Sequence, residues 1–459
     1  MKLFKEICVG ILLLPVTTLW SQVDTTPTAP VPAVTGAAPA SSSDQMMTPP
    51  PVSGQSYPTA PASAERSNYL RGGMTFSSAY TDNAVASVNG HPVSDVSYSV
   101  WPTLALDETT SRLHIVSTYA PGYTFYQRES LLNETDQNAS FDLQYRASPH
   151  VTFSARDGFQ KSSNVFNQPN LASSLTVSGG TQEANFSVIA PIADRVSNFG
   201  NAGVTYQFAA NGMVGASGTF TNLHYPNQAE VPGLFDSASQ GGSAFYSLRI
   251  SKEHYVGVTY QCQRLLSYPT QGQNETQTQS VLFFYTFYPS KRFTVSFYGG
   301  PQYANVGPQL FNSGLTPAPG FKSWNPQVGG SLGWQGRQAN VAVSYAHTVS
   351  SGGGLIGAVK MDSATASLRQ QITRNLTGTI AGGYTQNDLL GSVRLSGTNG
   401  HTISGTASLQ QQFSQHIALQ LGYTRLRQDY SGVAILAASP NTNREFVSIS
   451  YHFSRPLGR

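Results

Sequence analysis

Three observations predict an all-β chain, a transmembrane antiparallel up-and-down β-barrel of about 18 strands. First, only 11% of its 459 residues are charged, against roughly 25% in ordinary soluble proteins. Second, apolar and polar residues alternate with period two in stretches of about 9–12 residues, long enough to cross a hydrocarbon core at a tilt. Third, the connections between these stretches are alternately short and long. A membrane barrel limits charge without needing long apolar runs, because only every second residue touches lipid while the others face a polar interior. A mean hydropathy of -0.22 fits that compromise.

In chain order, residues 1–22 read as a secretory signal: Lys2 and Lys5, an apolar run from Ile7 to Leu19, then small or polar residues near Ser21. Cys8 lies inside that segment, which leaves Cys262 alone and without an intramolecular disulfide partner. Cys262 reads as a small apolar strand residue. Residues 23–67 are rich in Pro, Ala, Thr and Ser; they cannot bury enough surface to offset their ordering entropy and read as a disordered periplasmic linker. The linker is a spacer or a tether for a periplasmic partner. No segment offers about 18 consecutive apolar residues, so a helical span is not expected. A net charge of +3 gives no reason to expect nucleic acid as a partner.

From residue 68 to 453 the texture is that of a barrel. Ala139-Ser140-Phe141-Asp142-Leu143-Gln144-Tyr145-Arg146 is a clear example of the alternation, and Val256 to Gln263 and Ile417 to Tyr423 repeat it. Eight short links fall at DETTS before Arg112, ASPH at 147–150, AANG at 209–212, SKEH at 251–254, PSKR at 289–292, QGRQ at 335–338, TRN at 373–375 and SQH at 414–416. Long Gly-, Asn- and Pro-rich connections separate them. Eight hairpins with a single strand at each end, near 70–80 and 444–453, give eighteen strands with both ends in the periplasm. Sixteen is the alternative count. The stretch 172–190 is read as a large extracellular loop, although it has room for another hairpin. Hairpins recur roughly every 40 residues, as in a soluble propeller, but neither a blade signature nor four strands per repeat is present.

The strand ending in Thr81-Asp82-Asn83, the segment from Arg112 through Tyr119 to Tyr123, and the closing Tyr451-His452-Phe453 resemble bacterial outer-membrane β-barrel proteins, particularly the β-barrel porin group. The resemblance implies a barrel in the cell outer membrane, with Tyr451 and Phe453 as the signal read by the barrel-assembly machinery. Such chains usually stop at the final aromatic. This one continues through a tail, 454–459.

With the apolar set facing lipid, the opposite set lines the lumen. Its candidate lining residues are Asp142, Arg156, Arg249, Gln261, Arg369 and Gln410, among many Ser, Thr and Gln. A hydroxyl- and amide-rich interior suits water and neutral polar solutes. The three arginines either bias the pore towards anions or pair across the lumen or with an inward-folded loop; the second is the plainer expectation. Arg425 and Arg427 share outward parity with Leu421 and Tyr423 and are candidates for lipopolysaccharide phosphates. Tyr285, Phe287, Phe293 and Phe297 lie on the short-turn side, where an interfacial girdle belongs.

Nine scattered histidines show no metal-ligand spacing, and no nucleophile-elbow, phosphate-loop or dinucleotide motif is present. No enzyme activity, metal or cofactor is expected. The sequence thus points to a porin-like channel for passive diffusion of small or oligomeric polar solutes, with outer-membrane lipid and lipopolysaccharide as surroundings and a homo-oligomer as one option. The alternatives are a non-conducting surface-interaction barrel that binds through its long loops, and a polysaccharide-export barrel.

Overall fold

The computed structural model describes residues 68–85, 92–163, 166, 187–190, 193–269, 272–290, 292–308, 319–390, 399–431, 433, 436 and 440–456. The signal at 1–22, the linker at 23–67 and residues 457–459 lie outside the described residues, as does most of 172–190.

Eighteen strands follow one another. They are β1 (Asn68–Thr81), β2 (Asp95–Thr109), β3 (Leu113–Tyr126), β4 (Glu134–Arg146), β5 (Val151–Ser162) and β6 (Arg195–Ala209). Next come β7 (Gly212–His224), β8 (Asp236–Arg249), β9 (His254–Tyr268), β10 (Asn274–Ser290), β11 (Phe293–Val306) and β12 (Phe321–Gln335). The last are β13 (Ala339–Ser351), β14 (Ala358–Gln371), β15 (Leu376–Leu389), β16 (Gly400–Gln412), β17 (Ile417–Tyr430) and β18 (Asn441–Pro456). Each pairs antiparallel with its chain neighbours, and β1 pairs with both β2 and β18, so the sheet closes and no strand is left as an edge along its whole length.

The tight turns are set by local chemistry. The Ser148 hydroxyl accepts the backbone N–H groups of His150 and Val151 at 3.2 and 3.1 Å. Thr373 does the same for Asn375 and Leu376, and Ser414 for His416 and Ile417. A hydroxyl that takes main-chain donors two and three residues on folds the chain back without tertiary help.

The strands alternate as the sequence predicts. Met74, Phe76, Leu409, Leu421, Val447, Ile449, Tyr451 and Phe453 are exposed on the outer face. Between them, residues such as Ser97, Ser99, Thr365, Ser404 and Ser448 are buried on the inner face. The outer aromatics form two bands. On the short-turn side His254 stacks on Phe287 with ring centroids 4.7 Å apart, and Tyr285 meets Phe297 at 5.5 Å. On the long-loop side Tyr98 stacks on Phe125 at 5.4 Å, and Tyr303 meets Trp324 at 5.1 Å. Amphipathic rings at both rims of an apolar belt suit the two interfaces of a bilayer.

The closing seam uses the aromatic end of the chain. Met74 pairs with Tyr451 and Gly72 with Phe453. The Phe453 ring lies over Gly72, where an added Cβ would collide with the ring. β18 then runs on to Pro456, which pairs with Tyr69, so the wall takes in the first three residues of the segment read from sequence as tail.

Candidate functional site: a polar lumen crossed by inward loops

The inner faces of β1–β5 and β13–β17 carry small hydroxyls, amides and a few charges. Arg156 on β5 and Arg369 on β14 are exposed, and their strands stand nine places apart in the ring of eighteen, on opposite walls. No hydrogen bond or ion pair joins either side chain to another described residue. Asp142 is the ladder partner of Arg156 yet makes no ion pair with it. A different pair of inward residues forms an ion pair along the wall: Arg71 of β1 and Asp107 of the neighbouring β2 stand 2.7 Å apart. Arg249 lies at the short-turn end, where its Nε donates to the Ser251 carbonyl at 3.2 Å and its guanidinium sits 5.7 Å from the Tyr255 ring centroid. Gln410 is half-buried on the inner face of β16. Gln261 is 5% exposed, packed in the wall between β8 and β10 beside Ser280.

The extracellular half is different, because loops fold into it. Residues 187–190, in the connection from β5 to β6, cross to the wall formed by β15–β17. Asn387 donates its side-chain amide to the Ser187 hydroxyl at 2.9 Å, and the Thr402 hydroxyl donates to the Ser187 carbonyl at 3.0 Å. Gln428 accepts the Ile189 N–H at 2.8 Å and donates to the Ile189 carbonyl at 2.9 Å. On the home side the buried Arg195 donates to the Val188 carbonyl at 2.7 Å. The sequence places this stretch outside the barrel, as an extracellular loop; its described end is instead a strap across the lumen, drawn in by polar partners on the far wall.

An apolar cluster builds on the strap. Val188 and Ala190 meet Tyr225, Val231 and Leu234 from the β7–β8 loop, Leu355 from the β13–β14 loop, and Val433 and Leu436 from the β17–β18 loop. These come from well-separated parts of the ring, so they meet inside it rather than along one wall. Each fully buried Val or Leu contributes about 1.5–3 kcal/mol, enough in sum to hold the loops inward.

Sequence reasoning missed the strap because its binding partners carry no local mark. Gln428, Asn387 and Thr402 look like ordinary inward residues of a polar wall, and what they bind lies 200 to 239 residues away in sequence. The one available signal was the apolar Val188-Ile189-Ala190 inside a long polar connection.

A closed ring of eighteen strands, an apolar belt edged by aromatics and a polar interior decide the class of molecule. This is an outer-membrane β-barrel. No protein-family model matches the chain, and no curated relative does. Solved structures of similar shape include the outer membrane protein OpdK of Pseudomonas aeruginosa, at 8% identity over 84% of this chain and 99% of that one, with a TM-score of 0.39. OccK2 (OpdF) of the same organism matches at 9% identity over 84% and 98%, TM-score 0.42. A BenF-like porin from Pseudomonas fluorescens Pf-5 matches at 10% over 84% and 99%, also with a TM-score of 0.42. The likeness is one of barrel architecture only.

Proposed function

We propose that this outer-membrane barrel is a porin-like channel for passive diffusion of small polar solutes, with a preference for anions. One observation carries the reading: Arg156 and Arg369 stand exposed and unpaired, among described residues, on opposite inner walls. Two fixed cations facing a solvated lumen raise the local concentration of anions by field focusing. The hydroxyls and amides around them exchange hydrogen bonds with a passing solute at little cost. Liposome swelling tests the reading: entry of a sugar acid faster than the neutral sugar of equal size is expected, and no entry of either would overturn it.

The strap supports a second reading, a closed barrel that acts through its extracellular loops, because it crosses the lumen at the extracellular end. In such a barrel swelling is absent while the fold is intact.

Two partners are proposed for the outer surface. Arg427 is exposed, and Arg425 donates to the Asn441 side chain at 2.5 Å, so both guanidinium groups stay at the outer rim, where lipopolysaccharide phosphates would meet them. Tyr451 and Phe453 lie on the closing strand, where recognition by the barrel-assembly machinery would precede pairing with β1.

A further inference from the structure

The ladder between β12 and β13 stops part-way up the wall. It runs from Gln335↔Asn340 to Val328↔His347, although β12 begins at Phe321 and β13 ends at Ser351. Beyond that point β12 pairs only with β11, and residues 348–351 pair only with β14.

Pro326 explains the break. On the β11 side it faces Pro301, and since neither proline has an N–H, that place is a non-hydrogen-bonded pair. Bonding alternates from side to side along an antiparallel strand, so Pro326 turns its bonding edge towards β13. Extending the observed register by two residues sets Pro326 opposite Val349, whose carbonyl would find no donor there.

Val349 is bonded elsewhere. Gln302 of β11 accepts its N–H at 2.8 Å and donates to its carbonyl at 3.3 Å, making with one side chain the two bonds a strand neighbour would make. To reach Gln302 the end of β13 passes on the lumen side of β12. Val349 is 1% exposed despite its outward parity and packs with Leu265, Ala304, Val306 and Ala358. The hairpin that follows holds Gly353, Gly354 and Gly357 at φ of 61, 106 and 79°, backbone that glycine adopts and leaves without a Cβ penalty. Its Leu355 enters the cluster that fills the lumen.

We propose that residues 348–357 are a gate with two positions, an inference that rests on the channel reading. In the inward position Gln302 holds Val349 and Leu355 narrows the lumen. In the other, residues 348–351 zip onto the vacant edge of β12, with Thr348, Val349, Ser350 and Ser351 opposite Gln327, Pro326, Asn325 and Trp324. Zipping draws Leu355 out of the cluster and widens the passage. The absent N–H of Pro326 weakens the zipped ladder by one bond and leaves both positions within reach.

Cross-linking reads the positions directly. Trp324 is 71% exposed on the outer face and Ser351 is 8% exposed inside the wall, so the two meet only on zipping. Trp324→Cys and Ser351→Cys are placed together in a Cys262→Ser background, and the folded barrel is treated with a short, reducible bis-thiosulfonate. Peptide mapping and bilayer current are read before and after reductant. The expected result is a cross-link between the two introduced thiols, with a current several-fold above that of the reduced protein and reversed by reductant. Gln302→Leu and Pro326→Ala should each speed cross-linking several-fold. No cross-link in a barrel that still shows heat-modifiable migration would overturn the gate, as would a cross-link that leaves a measurable current unchanged. A cross-link with no current in either state would uphold the two positions and overturn the channel reading.

Discussion

The Asp82 carboxylate accepts the backbone N–H of Asn443 at 2.7 Å and its side-chain amide at 2.5 Å. The Thr442 hydroxyl adds a third bond at 3.2 Å, and Asp82 returns its own N–H to the Asn443 carbonyl at 3.1 Å. These contacts begin one residue above Thr81↔Arg444, the last ladder pair of the closing seam, and tie β1 to β18 at the extracellular rim. Burial would raise the Asp82 carboxyl, but the hydrogen bonds from Asn443 and Thr442 outweigh it and hold the group below its ordinary range. A carboxyl depressed in the folded state stabilises above its unfolded value, about 3.9, and loses that contribution as pH falls through the folded value. Asp82→Ala should therefore lower the seam's stability by about 1 kcal/mol at neutral pH. The difference from the unsubstituted protein should narrow as pH falls below the unfolded value and through the depressed folded one. Heat-modifiability midpoints across pH check both statements.

At the other end of the seam, Phe453 covers Gly72. Any side chain at 72 displaces the ring, so Gly72→Leu should reduce the assembled fraction more than Phe453→Ala does. Removing the ring alone costs about 1 kcal/mol, the scale of a cross-strand pair. The share of heat-modifiable protein in isolated outer membranes measures the order.

The strap depends on Gln428, which satisfies both main-chain groups of Ile189. Gln428→Leu leaves a buried donor and a buried acceptor unpaired, each worth about 1–3 kcal/mol. The strap should then leave the lumen while the wall survives. Limited proteolysis should gain cleavage near residues 187–193, and single-channel current should rise.

Arg156→Glu and Arg369→Glu should each move the reversal potential in a salt gradient towards cation preference. Because the two residues stand on opposite walls, the shifts should add in the double variant. Neither substitution touches a buried contact, so thermal stability should stay within about 0.5 kcal/mol of the starting protein.

How much of this could be read from sequence follows from the range of the interactions. The tight turns were legible because Ser148, Thr373 and Ser414 act on residues two and three places away. The inward and outward faces were legible because a period of two leaves only two choices, and Ile449 and Tyr451 made the choice plain. Closure was legible in the strand count, though the role of Asp82-Asn83 was not: the bonds to Asn441 and Asn443 span some 360 residues. The strap and the split at Pro326 stayed hidden for the same reason. Gln428 and Gln302 look like other inward glutamines until the loops they bind are in place. Pro326 gives a hint, since proline within a strand pattern marks a ladder that cannot be completed, but the missing pair depends on which side of β12 the bond would face.

The most direct test is current through the purified protein in a planar bilayer, on material that shows heat-modifiable migration and so is a folded barrel. The proposed channel predicts discrete unit currents with a reversal potential favouring anions, reduced in Arg156→Glu. A folded barrel that carries no current under any applied potential would contradict the channel and leave the closed, loop-binding barrel in its place.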